Sequence, residues 1–185
     1  VLSSFNDVAG TLITAEDNIM MEAPLISGIA FTRDEAKLTL RGVKDQPGIA
    51  SSILEPISEA NIEVDMIVQN IGADFSTDFT FTVARADFEL AQSILTAVSE
   101  RIGAQEVLGD ERIAKLSIVG VGMRSHAGVA AQMFDLLAKE SINIQMISTS
   151  EIKISVVIDE KYLELAVRAL HAGFGLETGP GADPA

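Results

Sequence analysis

An internal repeat constrains the fold of this chain more than any other feature. The segment AKLTLRGV at 36–43 matches AKLSIVGV at 114–121 with five identities in eight positions, at an offset of 78. After a two-residue insertion the offset becomes 80, and residues 48–50 align with 128–130. Self-similarity at such a period predicts two copies of one small structural unit.

Each copy has the same predicted order of elements. In the first copy Leu38 and Leu40 alternate with polar residues, as in a half-buried strand, and Ile49 and Ile53 begin a helical pattern. Pro56 lies inside that helix, where its missing N–H predicts a kink. Two alternating stretches, a second helix and a short closing strand follow. The order βαββαβ predicts an α+β fold of two ferredoxin-like units in tandem.

The second copy lacks a recognisable final strand. Its predicted elements are a strand at 115–121, a helix at 126–140, strands at 142–149 and 152–158, and a helix at 160–172. The segment PLISGIAF at 24–31 is predicted to supply the missing strand, which inserts the first copy within the second. Units of about 70 residues bury little surface alone, so each is expected to pack against its twin or another chain.

Charge and composition exclude several classes of function. The net charge is −14, with 13 Lys and Arg among 185 residues, which disfavours nucleic acids and anionic membranes. The sequence has no cysteine, no apolar run long enough to span a bilayer and no leader-like beginning. These observations predict a cytoplasmic chain with no membrane or nucleic-acid partner.

Two glycine-containing turns, at 42–50 and 120–130, raise the question of catalysis. The second begins G-x-G, but Ser125 stands where a dinucleotide fingerprint needs its third glycine, and neither turn has P-loop spacing. His126 and His171 are the only histidines, and neither lies in a metal-ligand pattern or beside a nucleophile elbow. The sequence therefore predicts no catalytic residue, metal or cofactor in this chain.

A strand-turn-helix junction suits the binding of a small anion. It exposes backbone N–H groups and the positive end of the helix, which together can hold the carboxylate of an amino acid. Acceptors for an ammonium group are expected beside the two junctions, at Asp45, Asp65, Gln69, Asn70, Asn143 and Glu151. The alternative is that Asp45 and Ser125 only cap their helices, which contributes about 1 kcal/mol each. The residues alone leave both interpretations open.

Several long strings carry a family resemblance. The segments GVKDQPGIASSILEPISEANIEVDMIVQNI, TDFTFTV and KLSIVGVGMRSHAGVAAQMFDLLAKESINIQMISTSEIKISVVI resemble the tandem ACT domains of bacterial aspartate kinase, and the likeness covers about residues 1–176. It implies the following organisation: the end of a kinase region and a linker at 1–23, a strand of the second ACT domain at 24–31, ACT domain 1 at 32–109, ACT domain 2 at 110–176 and a disordered tail at 177–185.

The resemblance implies feedback control of aspartate kinase, which converts ATP and L-aspartate to 4-phospho-L-aspartate. The effectors would be lysine, threonine or both, bound between ACT domains of two chains in a dimer. ATP and magnesium would belong to a catalytic domain or α subunit that this chain lacks. The alternatives are an ACT module that only dimerises, and the regulatory region of another enzyme of amino-acid metabolism.

The resemblance also implies two effector pockets. The first would comprise Asp45, Gln46, Pro47, Gly48, Ile49, Ala50, Gln69 and Asn70, with Asn143 and Ile144 opposite. The second would comprise Asp65, Ser125, His126, Gly128, Val129, Ser150 and Glu151. Carboxylates at Asp65 and Glu151 would suit the ε-ammonium group of lysine, since charge-assisted hydrogen bonds are the strong ones. The amides of the first pocket would suit threonine.

Overall fold

In the described part of the chain, eight strands and four α-helices follow one another in the predicted order. The structure, a computed structural model, describes residues 25–72, 76–121 and 127–176. The elements are β1 (Leu25–Thr32), β2 (Ala36–Lys44), α1 (Ile49–Glu59), β3 (Val64–Ile71), β4 (Ser76–Val83), α2 (Phe88–Ile102), β5 (Glu106–Asp110), β6 (Ile113–Val121), α3 (Ala127–Lys139), β7 (Ile144–Thr149), β8 (Lys153–Asp159) and α4 (Leu163–Gly173). Residues 1–23 and 177–185, predicted as linker and tail, lie outside the described residues.

The first unit is a four-stranded antiparallel sheet in the order β3-β4-β2-β5. Strand β2 alternates as predicted: Leu38 and Leu40 are buried against α1 and α2, while Lys37 and Thr39 face the other way. Phe79 and Phe81 on β4 are buried in the same core, with their rings edge to face at 6.1 Å. The helices cover one face of the sheet and leave the other free of helices.

The second unit has the sheet order β1-β6-β8-β7. Strand β1 pairs antiparallel with β6, in the place that β5 takes beside β2 in the first unit. The strand predicted from 24–31 is therefore β1, and the first copy is inserted between β1 and β6 of the second. The predicted α+β fold of two ferredoxin-like units is confirmed.

Helix α1 runs through Pro56 without a break. Because proline has no N–H, the carbonyl of Ser52 four residues earlier loses its helical donor. The guanidinium group of Arg101, from α2, donates a hydrogen bond to that carbonyl at 3.3 Å. A neighbouring helix thus satisfies the acceptor that the proline leaves open.

The two units contact each other through their helix-free faces. Met66 of β3 and Met146 of β7 lie in one buried cluster with Ile113 and Val157. At the margin, Arg85 donates to Glu160 at 3.2 Å and to the Ile113 carbonyl at 3.3 Å. No helix within residues 25–72, 76–121 and 127–176 is long and apolar enough to cross a membrane.

Candidate functional site

The first glycine turn leaves the start of α1 without a side-chain cap. Gly48 is the N-cap residue and has a φ of 89°, in the left-handed region that favours glycine. The residues from Asp45 to Gly48 are exposed, Ile49 is buried in the core and Ala50 is partly buried. Asp45 does not occupy the capping position, so the alternative in which it caps the helix is wrong. The Ile49 N–H donates to the Gln46 carbonyl at 3.2 Å, so the N–H groups that the helix start leaves for an acceptor are those of Ala50 and Ser51.

Gln69 and Asn70 lie at the same end of the first sheet as this turn. Strands β2 and β3 both pair antiparallel with β4, so they run parallel to each other and their carboxyl ends coincide. The side chains of Gln69 and Asn70 are exposed there. The fold thus brings together the part of the predicted first pocket that belongs to the first unit.

The second glycine turn differs from the first in its backbone. Helix α3 begins at Ala127, so Gly128 lies in its first turn, whereas the aligned Gly48 precedes α1. Gly128 is exposed and Val129 is buried. Ser125 and His126, also predicted for this pocket, lie outside the described residues. The repeat in sequence is therefore not an exact repeat of the turn conformation.

The remaining predicted residues of the second unit lie at opposite ends of β7. Asn143 is exposed and immediately precedes β7, while Ile144 is its first residue and is partly buried. Ser150 and Glu151 are exposed just beyond its last residue, and the Ser150 hydroxyl accepts from the Lys153 N–H at 3.2 Å. Asn143 is thus separated from Glu151 by the length of the strand.

Asp65 makes an ion pair within the chain. The Lys115 ammonium group, on β6, donates to the carboxylate of Asp65 and to that of Glu35. Glu35 is only 6% exposed; its Oε1 accepts from Lys115 and its Oε2 has no hydrogen-bond partner among the described residues. Asp65 is 46% exposed in its side chain. The predicted ligand for an effector's ammonium group therefore already contacts an ammonium group of the protein.

Burial and ion pairing act in opposite directions on this cluster. Burial alone would raise the pKa of Asp65, but the hydrogen bond and charge of Lys115 outweigh it and hold that pKa below 3.8. Burial would lower the pKa of Lys115, but the hydrogen bonds to Asp65 and Glu35 raise it above 10.5. Burial opposes the ionised forms, but the hydrogen bonds and opposite charges outweigh it, so the net shift of both pKa values favours the ionised pair.

The repeat-related lysine of the first unit has a different environment. Lys37, on β2, aligns with Lys115 at the offset of 78 and donates to the side-chain oxygen of Gln145 on β7. Gln145 in turn aligns with Asp65 at the offset of 80. The two contacts are thus related by the internal repeat: each lysine reaches the aligned position of the other unit.

The contacts of Lys37 and Lys115 between the two units were not predicted from the sequence. The signal was present, because the two lysines occupy identical positions in the repeated strings at 36–43 and 114–121 and fall on the polar face of an alternating strand. That a polar face packs against another unit does not follow from alternation alone. In the described parts of the chain, no group of three or more His, Cys, Asp or Glu residues is placed to hold a metal ion.

A family model described as the ACT domain matches residues 39–98 and 116–174. Each matched segment falls within one of the two ferredoxin-like units described above, and together the segments cover more than half of the chain. The chain therefore belongs to the ACT-domain family.

Several relatives and solved structures that resemble it are aspartate kinases or parts of them. The aspartate kinase of Pseudomonas putida is 68% identical over 177 residues, which is 96% of this chain and 43% of that protein. A structure of aspartokinase alpha and beta subunits has a TM-score of 0.77 at 54% identity, over 82% of this chain and 99% of that one. The regulatory subunit of Thermus thermophilus aspartate kinase, ligand free, has a TM-score of 0.76 at 41% identity, over 80% and 98%. The chain corresponds to the regulatory part of aspartate kinase and spans less than half of the P. putida protein.

Proposed function

We propose that the chain senses lysine, threonine or both and thereby regulates an aspartate kinase. The observation that carries the proposal is that Asp65, Gln69 and Asn70 lie on the outer strand β3, and Asn143, Ile144 and Glu151 on or beside the outer strand β7, in complementary order. In this proposal ATP, magnesium and the conversion of aspartate to 4-phospho-L-aspartate belong to the catalytic domain or α subunit, and both parts act in the cytoplasm. The related structure of alpha and beta subunits supports a catalytic partner.

Strands β3 and β7 are the outer strands on one side of their sheets. Each carries an exposed isoleucine at the aligned position, with Ile67 50% exposed and Ile147 45% exposed. Ile71, at the end of β3, is 58% exposed. An apolar edge with unpaired backbone groups is a template for a further strand. We infer that β3 of one copy pairs with β7 of a second copy in a homodimer.

Antiparallel pairing of these edges assembles both pockets. The end of β3, with Gln69 and Asn70, then lies beside the start of the partner's β7, where Asn143 is found. The start of β3, with Asp65, lies beside the end of the partner's β7, where Glu151 follows. The separation of the two groups along β7 is therefore what an antiparallel dimer requires.

The first pocket suits threonine. The N–H groups at the uncapped start of α1 can receive its carboxylate. The amide oxygens of Gln69 and Asn70 can accept from its ammonium group, and the amide nitrogens can donate to its hydroxyl. Threonine has no second cationic group, so this pocket does not need a further carboxylate to balance one.

The second pocket suits lysine. Asp65 and Glu151 are exposed carboxylates that would face each other across the paired strands. A carboxylate has about four acceptor positions, so Asp65 can contact Lys115 and still accept from an ε-ammonium group. Occupation of a site between two copies favours one arrangement of the dimer, and regulation requires tighter binding to that arrangement than to the alternatives.

Calorimetric titration of the purified chain with lysine, threonine and the two together tests the proposal. Binding at millimolar or lower concentration supports it, and no binding of any combination contradicts it and favours a module that only dimerises. Glu151→Gln should weaken the binding of lysine about tenfold or more, because a charge-assisted hydrogen bond is lost, and leave the binding of threonine unchanged. An equal loss for both amino acids would contradict the assignment of the pockets.

A further inference from the structure

A cleft of about 390 Å³ lies between the two sheets, and its lining includes Ile144 of the predicted first pocket and Ile147 of the β7 edge. Lys37, Thr39, Val68 and Thr80 line it from the first unit, and residues of β7 that include Gln145 and Met146 line it from the second. The cleft thus combines one cationic group, two hydroxyls and an apolar wall. Its volume accommodates a molecule of a few heavy atoms.

Lys37 has no carboxylate in ion-pair contact within the described residues. Its ammonium group donates to the neutral side chain of Gln145. Asp110 lies opposite it on β5 and acts only at longer range. Burial lowers the pKa of Lys37 despite the charge of Asp110, because the half-buried ammonium group is incompletely compensated.

The second unit shows what compensates a lysine at this position. Lys115 has two carboxylate partners, Asp65 and Glu35. The residues aligned with these two in the other copy are Gln145, at the offset of 80, and Ile113, at the offset of 78. An amide and an alkyl group therefore stand where the repeat has carboxylates, and the cleft adjoins both Lys37 and Gln145.

The hydroxyls of Thr39 and Thr80 can complete an anion site. They lie 3.0 Å apart and bond to each other, on neighbouring strands. When one hydroxyl donates to the other, the second keeps its own hydrogen for a further acceptor. Val68 and Met146 supply an apolar surface beside this polar group.

We propose that the cleft binds a small monocarboxylate with a short apolar tail. Its carboxylate would contact the Lys37 ammonium group and a threonine hydroxyl, in the role that Asp65 and Glu35 have beside Lys115. Its tail would pack against Val68 and Met146. Such a ligand would bridge the two units and so add a regulatory input beside the proposed first pocket, with which the cleft shares Ile144.

The test is a titration of the 185-residue chain with butyrate, in which binding is measured by calorimetry and by the chemical-shift changes of the cleft residues. Butanamide, which has the same shape without the charge, is the matched ligand control. Lys37→Met removes the ammonium group and keeps most of the stem, and Lys44→Met removes an exposed lysine from the same strand. Far-ultraviolet circular dichroism checks that both variants fold.

We expect butyrate to bind to the wild type and to Lys44→Met. Butanamide should bind to the wild type at least about tenfold more weakly than butyrate. Lys37→Met should lose affinity for butyrate by a similar factor. Equal binding by Lys37→Met and the wild type would overturn it, as would no binding of butyrate at tens of millimolar. Weaker self-association of Lys37→Met in sedimentation would also overturn it, because the carboxylate would then come from a second copy. The affinities of Lys37→Met for lysine and threonine should equal those of the wild type, which keeps this test separate from that of the proposed function.

Discussion

Lys115, on the second unit, donates to Asp65, on the first, and so joins the two halves of the chain through a charged contact. The same ammonium group contacts the buried carboxylate of Glu35. A cation shared by two carboxylates of the other unit fixes how the two helix-free faces lie against each other. Any rearrangement of the units that separates β3 from β6 must break this contact.

Lys115→Met should destabilise the chain by about 2 kcal/mol. The variant leaves Glu35 buried without its counter-charge, and removing one partner of a fully buried pair costs ~3–5 kcal/mol. The smaller value is expected because Asp65 is partly solvated. Urea denaturation measures the change, and Lys139→Met, which breaks an exposed pair with Asp135, is the control at about 0.5 kcal/mol or less. A cost no larger than that of the control would show that the contact of Lys115 with Asp65 and Glu35 contributes little to the free energy of unfolding.

The contribution of Asp65 to stability should be lost in acid. Its pKa is lower in the folded chain than the ordinary 3.8, so its stabilisation is complete above the ordinary value and disappears as the pH falls through the lowered one. Lys115, with a raised pKa, contributes below its ordinary 10.5 and loses that contribution at higher pH. The gap between the unfolding midpoints of the wild type and Asp65→Asn should therefore be constant from about pH 5 to 9 and close below about pH 4. A gap that persists in acid would rule out an ionic origin.

Alanine at the two aligned glycines should have opposite effects. Gly48 has positive φ, which costs an L-residue about 1–2 kcal/mol, so Gly48→Ala should lower the free energy of unfolding by about 1 kcal/mol. Gly128 lies in the first turn of α3, where Gly128→Ala should be neutral or stabilising by up to about 0.5 kcal/mol. A Cβ at either position meets no atom within 4 Å, so backbone conformation decides both results. Equal effects in thermal or urea unfolding would contradict the difference between the turns.

Ile67→Lys and Ile147→Lys should weaken self-association. A charge at an exposed edge position blocks strand pairing without disturbing the core of the unit. Leu90→Lys, on the exposed face of α2 at 51% exposure, adds the same charge away from the two edges and is the control. Sedimentation equilibrium should give a lower apparent mass for the two edge variants only. A dimer unaffected by both would place the interface elsewhere.

Much of the fold can be predicted from the sequence, but the contact between the two units cannot. The repeat predicts both units and even the unusual origin of β1, because strand alternation and helical spacing are local patterns. Pro56 was predicted to kink or break its helix, and α1 continues through it without a break. The carbonyl that it leaves without a helical donor accepts from Arg101, 45 positions along the chain, which no local pattern predicts. The contact of Lys115 with Asp65 depends on how two complete sheets pack. No local pattern contains that information.

The central claim is that the effector is held between two copies, and titration of a monomeric variant tests it most directly. Lysine and threonine, separately and together, are titrated by calorimetry into the wild type and into Ile147→Lys at the same protein concentration. We predict heat of binding at millimolar or lower effector for the wild type, and at least about a tenfold loss of affinity for the variant, because its pockets lose the partner's half. Equal affinity in the two proteins would contradict the account, since the site would then lie within a single chain.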